Sequence, residues 1–206
     1  MKKIAIMLLL VTAGAGLHKA AAQSRSPLSV NFNYSIAQPN GSLSDYAGNT
    51  SFRGWKAGIN YSLNDRFSLG LGFGFNDFYE KTDRMVYPDK GSDISAVQQR
   101  TLQVLPIQAV GQYNFAKADA KVIPYGSLGI GAANMNYEKY WGEFVDKSNK
   151  WSFLVSPELG INVPFGKYSP VMFNASVQYN YAPYNFSEIS GFNSLQGNIG
   201  IKVHIH

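Results

Sequence analysis

The chain has 206 residues, with 18 Lys and Arg against 13 Asp and Glu, 45% hydrophobic and 14% aromatic residues, and no cysteine. That length bounds it to one domain or a single barrel, and the missing cysteine excludes both a disulfide framework and a lipid anchor at a cleavage site. Without a leader carrying Lys2, Lys3 and Lys19, fifteen basic side chains face thirteen acidic ones, a net +2 that is no footprint for nucleic acid.

The chain opens on such a leader. Lys2 and Lys3 precede an apolar run at residues 4–11, and Ala20, Ala21 and Ala22 form a small-residue cleavage site before Gln23. This is the layout of a secretory signal peptide, and the run is too short to span a bilayer. Residues 1–22 are therefore expected to be removed, leaving residues 23–206 as one β-barrel domain.

Period-two alternation then recurs along the chain. Leu28, Val30, Phe32, Tyr34 and Ile36 alternate with Ser29, Asn31, Asn33 and Ser35, and Trp55, Ala57, Ile59, Tyr61 and Leu63 with Lys56, Gly58, Asn60 and Ser62. Phe67, Leu69, Leu71, Phe73 and Phe75 alternate with Ser68, Gly70, Gly72, Gly74 and Asn76. A fourth segment runs through Leu105, Ile107, Ala109, Gly111, Tyr113 and Phe115. The fifth, residues 123–137, is weaker: Tyr125 and Leu128 lie on opposite parities, which predicts a bulge in its Gly-rich middle. Trp151 to Val163, Val171 to Tyr181 and Ile199 to Ile205 supply the last three apolar series, with Glu158 on the polar face of the sixth and Lys202 on that of the eighth.

Eight segments near ~9–11 residues each, an even number, fit a transmembrane β-barrel. Short connections at residues 64–65, 116–121 and 164–169 alternate with long loops at 39–53, 77–100, 138–150 and 182–194, which puts both termini on the periplasmic side. The fold class expected is all-β: an eight-stranded antiparallel up-and-down transmembrane barrel.

A soluble, lipocalin-like barrel would show the same alternation with its apolar face turned inward. Charge segregation decides against it. Only Lys56, Glu158 and Lys202 are expected within the strands, and a face of Gly, Ser, Asn and Gln lacks the mixed charge of a soluble surface but suits a narrow lumen. Aromatic residues also gather at the strand ends: Trp55, Phe75, Phe78, Tyr137, Trp151, Phe153, Tyr179 and Tyr181 outside, and Tyr61, Phe67, Tyr113, Phe115, Tyr125, Phe165 and Phe173 on the periplasmic side. Two girdles around an aliphatic band are what headgroup-depth rings produce.

The last strand carries Asn198, Gly200, Val203 and Ile205, in the spacing of the assembly signal of outer-membrane barrels, although it ends on Ile205-His206 and not on an aromatic. With the segments LQVLPIQAVGQYNF and VIPYGSLGIGA, the chain resembles over residues 28–205 the small eight-stranded barrels of the OmpA-transmembrane and OmpX type, and the generic outer membrane protein beta-barrel domain families. The resemblance implies residence in outer-membrane lipid and insertion by the barrel-assembly machinery. It does not bring the peptidoglycan-binding domain of OmpA proper.

An eight-stranded barrel is just filled by its interior side chains, so no diffusive pore is expected. Lys56, Glu158 and Lys202 then form a structural charge cluster, with Lys202 the nearer partner of Glu158 and Lys56 the more distant one; an ion path is the alternative. Enzymes on such barrels need a His near a Ser with an orienting acid. Only His204 and His206 follow the leader, at the periplasmic rim, so no catalytic, cofactor or metal site is expected. The loop 77–100, rich in charge and carrying Phe78, Tyr79 and Tyr87, is either a binding edge for an extracellular partner or simply solvated, and the basic-aromatic stretch 138–151 suits lipid phosphates. The function expected is a structural or surface-interaction role, with transport of small or apolar solutes as the alternative and lipid modification third.

Overall fold

A computed structural model describes residues 27–89, 92–117, 119–142, 144–166 and 169–205. The leader, residues 1–22, lies outside the described residues. Eight strands follow in order: β1 Leu28–Asn40, β2 Ser51–Ser62, β3 Phe67–Asp89, β4 Ser92–Asn114, β5 Ile123–Trp141, β6 Phe144–Pro164, β7 Val171–Phe186 and β8 Ile189–Ile205. One short helix, α1 Ser42–Tyr46, interrupts the connection between β1 and β2. Every strand pairs antiparallel with its sequence neighbours, and β1 pairs with β8 from Leu28↔Ile205 to Asn40↔Asn193, which closes the barrel. Closure gives every described strand a partner on both sides within the belt, the condition for strands to cross a bilayer.

The alternation sets which face is which. Phe32, Leu71, Ile107, Leu159 and Ile199 stand exposed on the outer wall, while Ser29, Asn33, Asn60, Gln108, Asn174 and Asn198 are buried in the bore. An exposed apolar belt that encircles a protein is a lipid-facing surface. Trp55, Trp151, Phe153, Tyr179 and Tyr181 ring its outer edge and Tyr61, Phe67, Tyr113, Phe115 and Phe165 its periplasmic edge, all exposed. Asn64 sets the first periplasmic turn, its Oδ1 accepting from the backbone N–H of Arg66 at 2.9 Å and of Phe67 at 2.8 Å.

Three expectations change here. First, the long loops at 77–100, 138–150 and 182–194 are not loops. Pairing continues to Asp89↔Ser92, Trp141↔Phe144 and Phe186↔Ile189, so three hairpins stand beyond the belt. From Asp77 to Asp89, β3 runs about 40 Å along its length past the outer girdle, at ~3.3 Å per residue. Charged residues such as Asp77, Glu80 and Lys139 therefore sit in strands, and segregation holds only between the girdles. Second, β5 has no bulge: its register to β6 is unbroken from Ile123↔Asn162 to Trp141↔Phe144. Tyr125 differs in parity from Leu128 because it points into the bore, so it is not the periplasmic girdle residue expected. Third, Phe78 and Tyr137 are not girdle residues. Both are 0% exposed, buried in an apolar cluster that fills the outer half of the bore.

Candidate functional site: the sealed bore

The bore has two compartments. Between the girdles it is polar. Gln108 donates to Ser156 Oγ at 2.8 Å, Ser156 to Asn180 Oδ1 at 2.8 Å, and Asn180 to Gln196 Oε1 at 3.0 Å. Asn76 reaches the same Gln196 Oε1 at 3.1 Å, Gln196 donates to Asn198 Oδ1 at 2.7 Å, and Ser35 donates to that oxygen at 2.6 Å. The chain of bonds ties β1, β3, β4, β6, β7 and β8 together across the interior. Buried polar groups are tolerated because they find such partners.

The lumen charges sit within this network. Lys56 Nζ donates to Glu158 Oε2 and, at 2.7 Å, to Gln178 Oε1. Tyr125 donates its hydroxyl proton to Glu158 Oε1 at 2.8 Å and accepts from Asn174 Nδ2 at 3.0 Å. Lys202 is not the partner of Glu158: its Nζ lies 3.4 Å from Gln112 Oε1. The expectation counted strands around the wall and ignored register. Along β7 the partner of Lys202 is Met172 and that of Glu158 is Gln178, six residues apart, or about 20 Å of strand. Lys56, four strands away, reaches Glu158 straight across the narrow lumen.

Above the polar zone the bore turns apolar. Ala37, Phe78, Leu102, Val104, Met135, Tyr137, Leu154 and Phe192 line it, and Leu43, Tyr46 and Ala47 of the α1 segment press into it from above, each 0% exposed. The spacing of those three residues puts them on one helical face. Tyr46 stacks on Tyr137 with ring centroids 4.8 Å apart and donates to Glu138 O at 2.8 Å. Arg100 donates to the carbonyls of Asp45 at 3.3 Å and Tyr46 at 3.2 Å, as a basic side chain does at a helix C-terminus. Ser42 donates to Gly191 O at 3.0 Å. Burial pushes the phenols of Tyr46 and Tyr137 up and that of Tyr184 to about 12. On the outer face of the β5–β6 hairpin, the Tyr140 hydroxyl, 2.8 Å from Glu138 Oε2, and Lys147, 3.4 Å from Oε1, hold the Glu138 carboxyl below its usual range.

The other singled-out residues are scattered. Asn198 and Gly200 face inward and Val203 and Ile205 outward, so the final-strand pattern is split between the two faces. His204 lies on the inner parity and His206 lies outside the described residues. Sequence reasoning missed α1, although Leu43, Tyr46 and Ala47 carried a helical spacing, and it misplaced Tyr125 in the girdle, although its odd parity was the signal of an inward ring.

Comparison with known proteins agrees with this geometry. A family model described as "Outer membrane protein beta-barrel domain" matches residues 7–205. Among solved structures, the chain is similar to Neisserial surface protein A, with a TM-score of 0.59 at 16% identity, covering 89% of this chain and 100% of that one. It is also similar to the outer membrane protein OprG from Pseudomonas aeruginosa, with a TM-score of 0.54 at 13% identity, covering 90% and 98%. At such identities the likeness is one of fold. No curated protein matches the sequence.

Proposed function

The chain belongs to the outer membrane protein beta-barrel domain family and resides in the outer membrane, and from that premise we propose that it is a closed, non-enzymatic barrel whose work is done at the cell surface by its extended hairpins. The observation that carries this reading is the sealing of the bore. Hydrogen-bonded side chains cross it between the girdles, and α1 caps an apolar core above them. A cavity within the polar zone measures only about 30 Å³. What remains accessible is the outer surface of the three hairpins, where Arg53 pairs with Asp77 at 3.3 Å over the Tyr79 ring and Lys147 lies over Tyr140. Strand-paired, charged and aromatic edges held clear of the headgroups are suited to contact with an extracellular partner or with lipid phosphates.

Insertion by the barrel-assembly machinery, guided by Asn198, Gly200, Val203 and Ile205, belongs to the same proposal. Single-channel recording in planar bilayers tests its core. The folded protein gives no steady conductance, and cells lacking residues 79–99 lose surface binding while the barrel still assembles. A stable open channel would overturn it.

Transport of small apolar solutes has one observation in its favour. The β6–β7 ladder skips Ser156 and Pro157, between Val155↔Tyr181 and Glu158↔Gln178. Pro157 has no N–H to donate, and an apolar depression of about 1120 Å³ covers this wall, lined by Leu128, Leu159 and Val177. Uptake of an apolar dye into proteoliposomes, unchanged by Pro157→Val, would dispose of this alternative.

A further inference from the structure

Between the girdles, the described residues that face the bore carry two ammonium groups, Lys56 and Lys202, but one carboxylate, Glu158. That carboxylate is already engaged on both oxygens, by Lys56 on one and Tyr125 on the other. Lys202 is 7% exposed and its hydrogen bond to the neutral Gln112 amide, at 3.4 Å, is long. A cation taken out of water without a counter-charge is strongly disfavoured, and neutral amides do not replace the missing charge.

Beside Lys202 lies the cavity of about 30 Å³, bordered by Asn31, Gln112, Asn162 and Asn174 as well as by the engaged Lys56–Glu158 pair. The space suits one water or one ion of similar size. Asn31 is the direct cross-strand partner of Lys202. Asn31 Oδ1 accepts from Asn60 at 3.0 Å and Asn162 Oδ1 from Asn174 at 3.0 Å, so both side-chain oxygens are occupied. Among the described residues, neither side-chain nitrogen donates to an acceptor. An ammonium with no carboxylate in contact and two amide donors thus border one small space, whose one carboxylate, Glu158, is engaged on both oxygens by Lys56 and Tyr125.

We propose that this cavity is an anion site, which holds a single halide-sized monovalent anion, chloride in ordinary media, between the Lys202 ammonium and the side-chain amides of Asn31 and Asn162. Phosphate, sulfate and carboxylates are too large for it. The anion completes the charge balance of the bore and adds a bond across β1, β6 and β8. This role is independent of what the hairpins bind at the surface.

The test uses the folded barrel in a non-ionic detergent, heated at constant ionic strength while chloride replaces gluconate. The unfolding midpoint is expected to climb by a few degrees and to saturate, with bromide equivalent to chloride. Crystals grown in bromide are expected to show an anomalous peak in contact with Lys202 Nζ. Lys202→Met removes the halide response. Asn31→Asp places a carboxylate directly opposite Lys202, so it is expected to stay folded without halide and to lose the response as well, which keeps the test decisive if Lys202→Met fails to fold. A midpoint indifferent to halide, an undiminished response in Asn31→Asp, or water alone in the cavity of bromide crystals would overturn the proposal.

Discussion

Glu158→Ala removes the acceptor shared by Lys56 and Tyr125. Each keeps one other bond: Lys56 to Gln178 at 2.7 Å, and Tyr125 as acceptor from Asn174 at 3.0 Å. The Lys56 and Glu158 side chains are 16% and 7% exposed, so the pair is largely desolvated. Stranding one member of a buried pair costs about 3–5 kcal/mol, and the remaining Gln178 contact places this case near the lower end, about 3 kcal/mol. For a chain of this size that is a fall of about 6–12 °C in the unfolding midpoint. Lys56→Met is expected to cost a similar amount by stranding the carboxylate. The double variant removes both charges and is expected to lose about 2 kcal/mol less than the sum of the two. Heat-modifiable migration on gels, read against temperature, gives all four midpoints. If the losses of the single variants simply add, Lys56 and Glu158 are not energetically coupled and the charge pair has no structural role.

Tyr46→Ala empties the centre of the outer plug and is expected to cost that half about 3–5 kcal/mol; limited proteolysis should then cut the β3–β4 and β7–β8 hairpins faster while the belt stays folded, and unchanged cleavage would show that α1 holds nothing down. Gly200→Ala places a methyl group 2.1 Å from Phe32 O and 2.6 Å from Asn33 Cα, so the barrel refolded in detergent alone is expected to lose about 1–3 kcal/mol. A defect seen only in cells would instead assign Gly200 to recognition during insertion. The phenols of Tyr184, Tyr46 and Tyr137 are raised by burial, so their contribution is full below pH 10.0 and lost as pH rises through the folded values, about 12 for Tyr184. Alkaline titration followed by proteolysis should therefore release the outer half before the belt. Glu138 has the opposite sign: its carboxyl is lowered by Tyr140 first and Lys147 next, so its contribution is present above 4.5 and fades as pH falls through the folded value. Tyr140→Phe should flatten any acid-induced loosening of the β5–β6 hairpin.

The membrane-spanning part of this fold is legible because one face of each strand meets lipid and the other meets the bore, so Phe67 to Asn76 cannot slip by one residue without exchanging faces. Beyond the girdle that constraint ends. Glu80, Lys81, Thr82, Asp83 and Arg84 are polar on both parities because both faces of the hairpin meet water, and a strand of that kind has the sequence of a loop. Inside the outer half the rule inverts, with Phe78, Val104 and Met135 turned inward, since α1 supplies an apolar partner there. The three lumen charges could be named from the sequence, but their pairing could not. Whether Glu158 meets Lys56 or Lys202 depends on the stagger of the barrel, a quantity that no single strand carries.

The anchorage of α1 also sets an order of events in time. The helix is made early, between the first two strands, yet it is fastened by Arg100 on β4, by the Glu138 carbonyl on β5, and by Gly191 and Ser190 on β8, the last strand to emerge. Its seat does not exist until β8 has closed against β1. Closure therefore comes first and sealing second, and a barrel halted before its eighth strand would be both open at the side and unstoppered at the top.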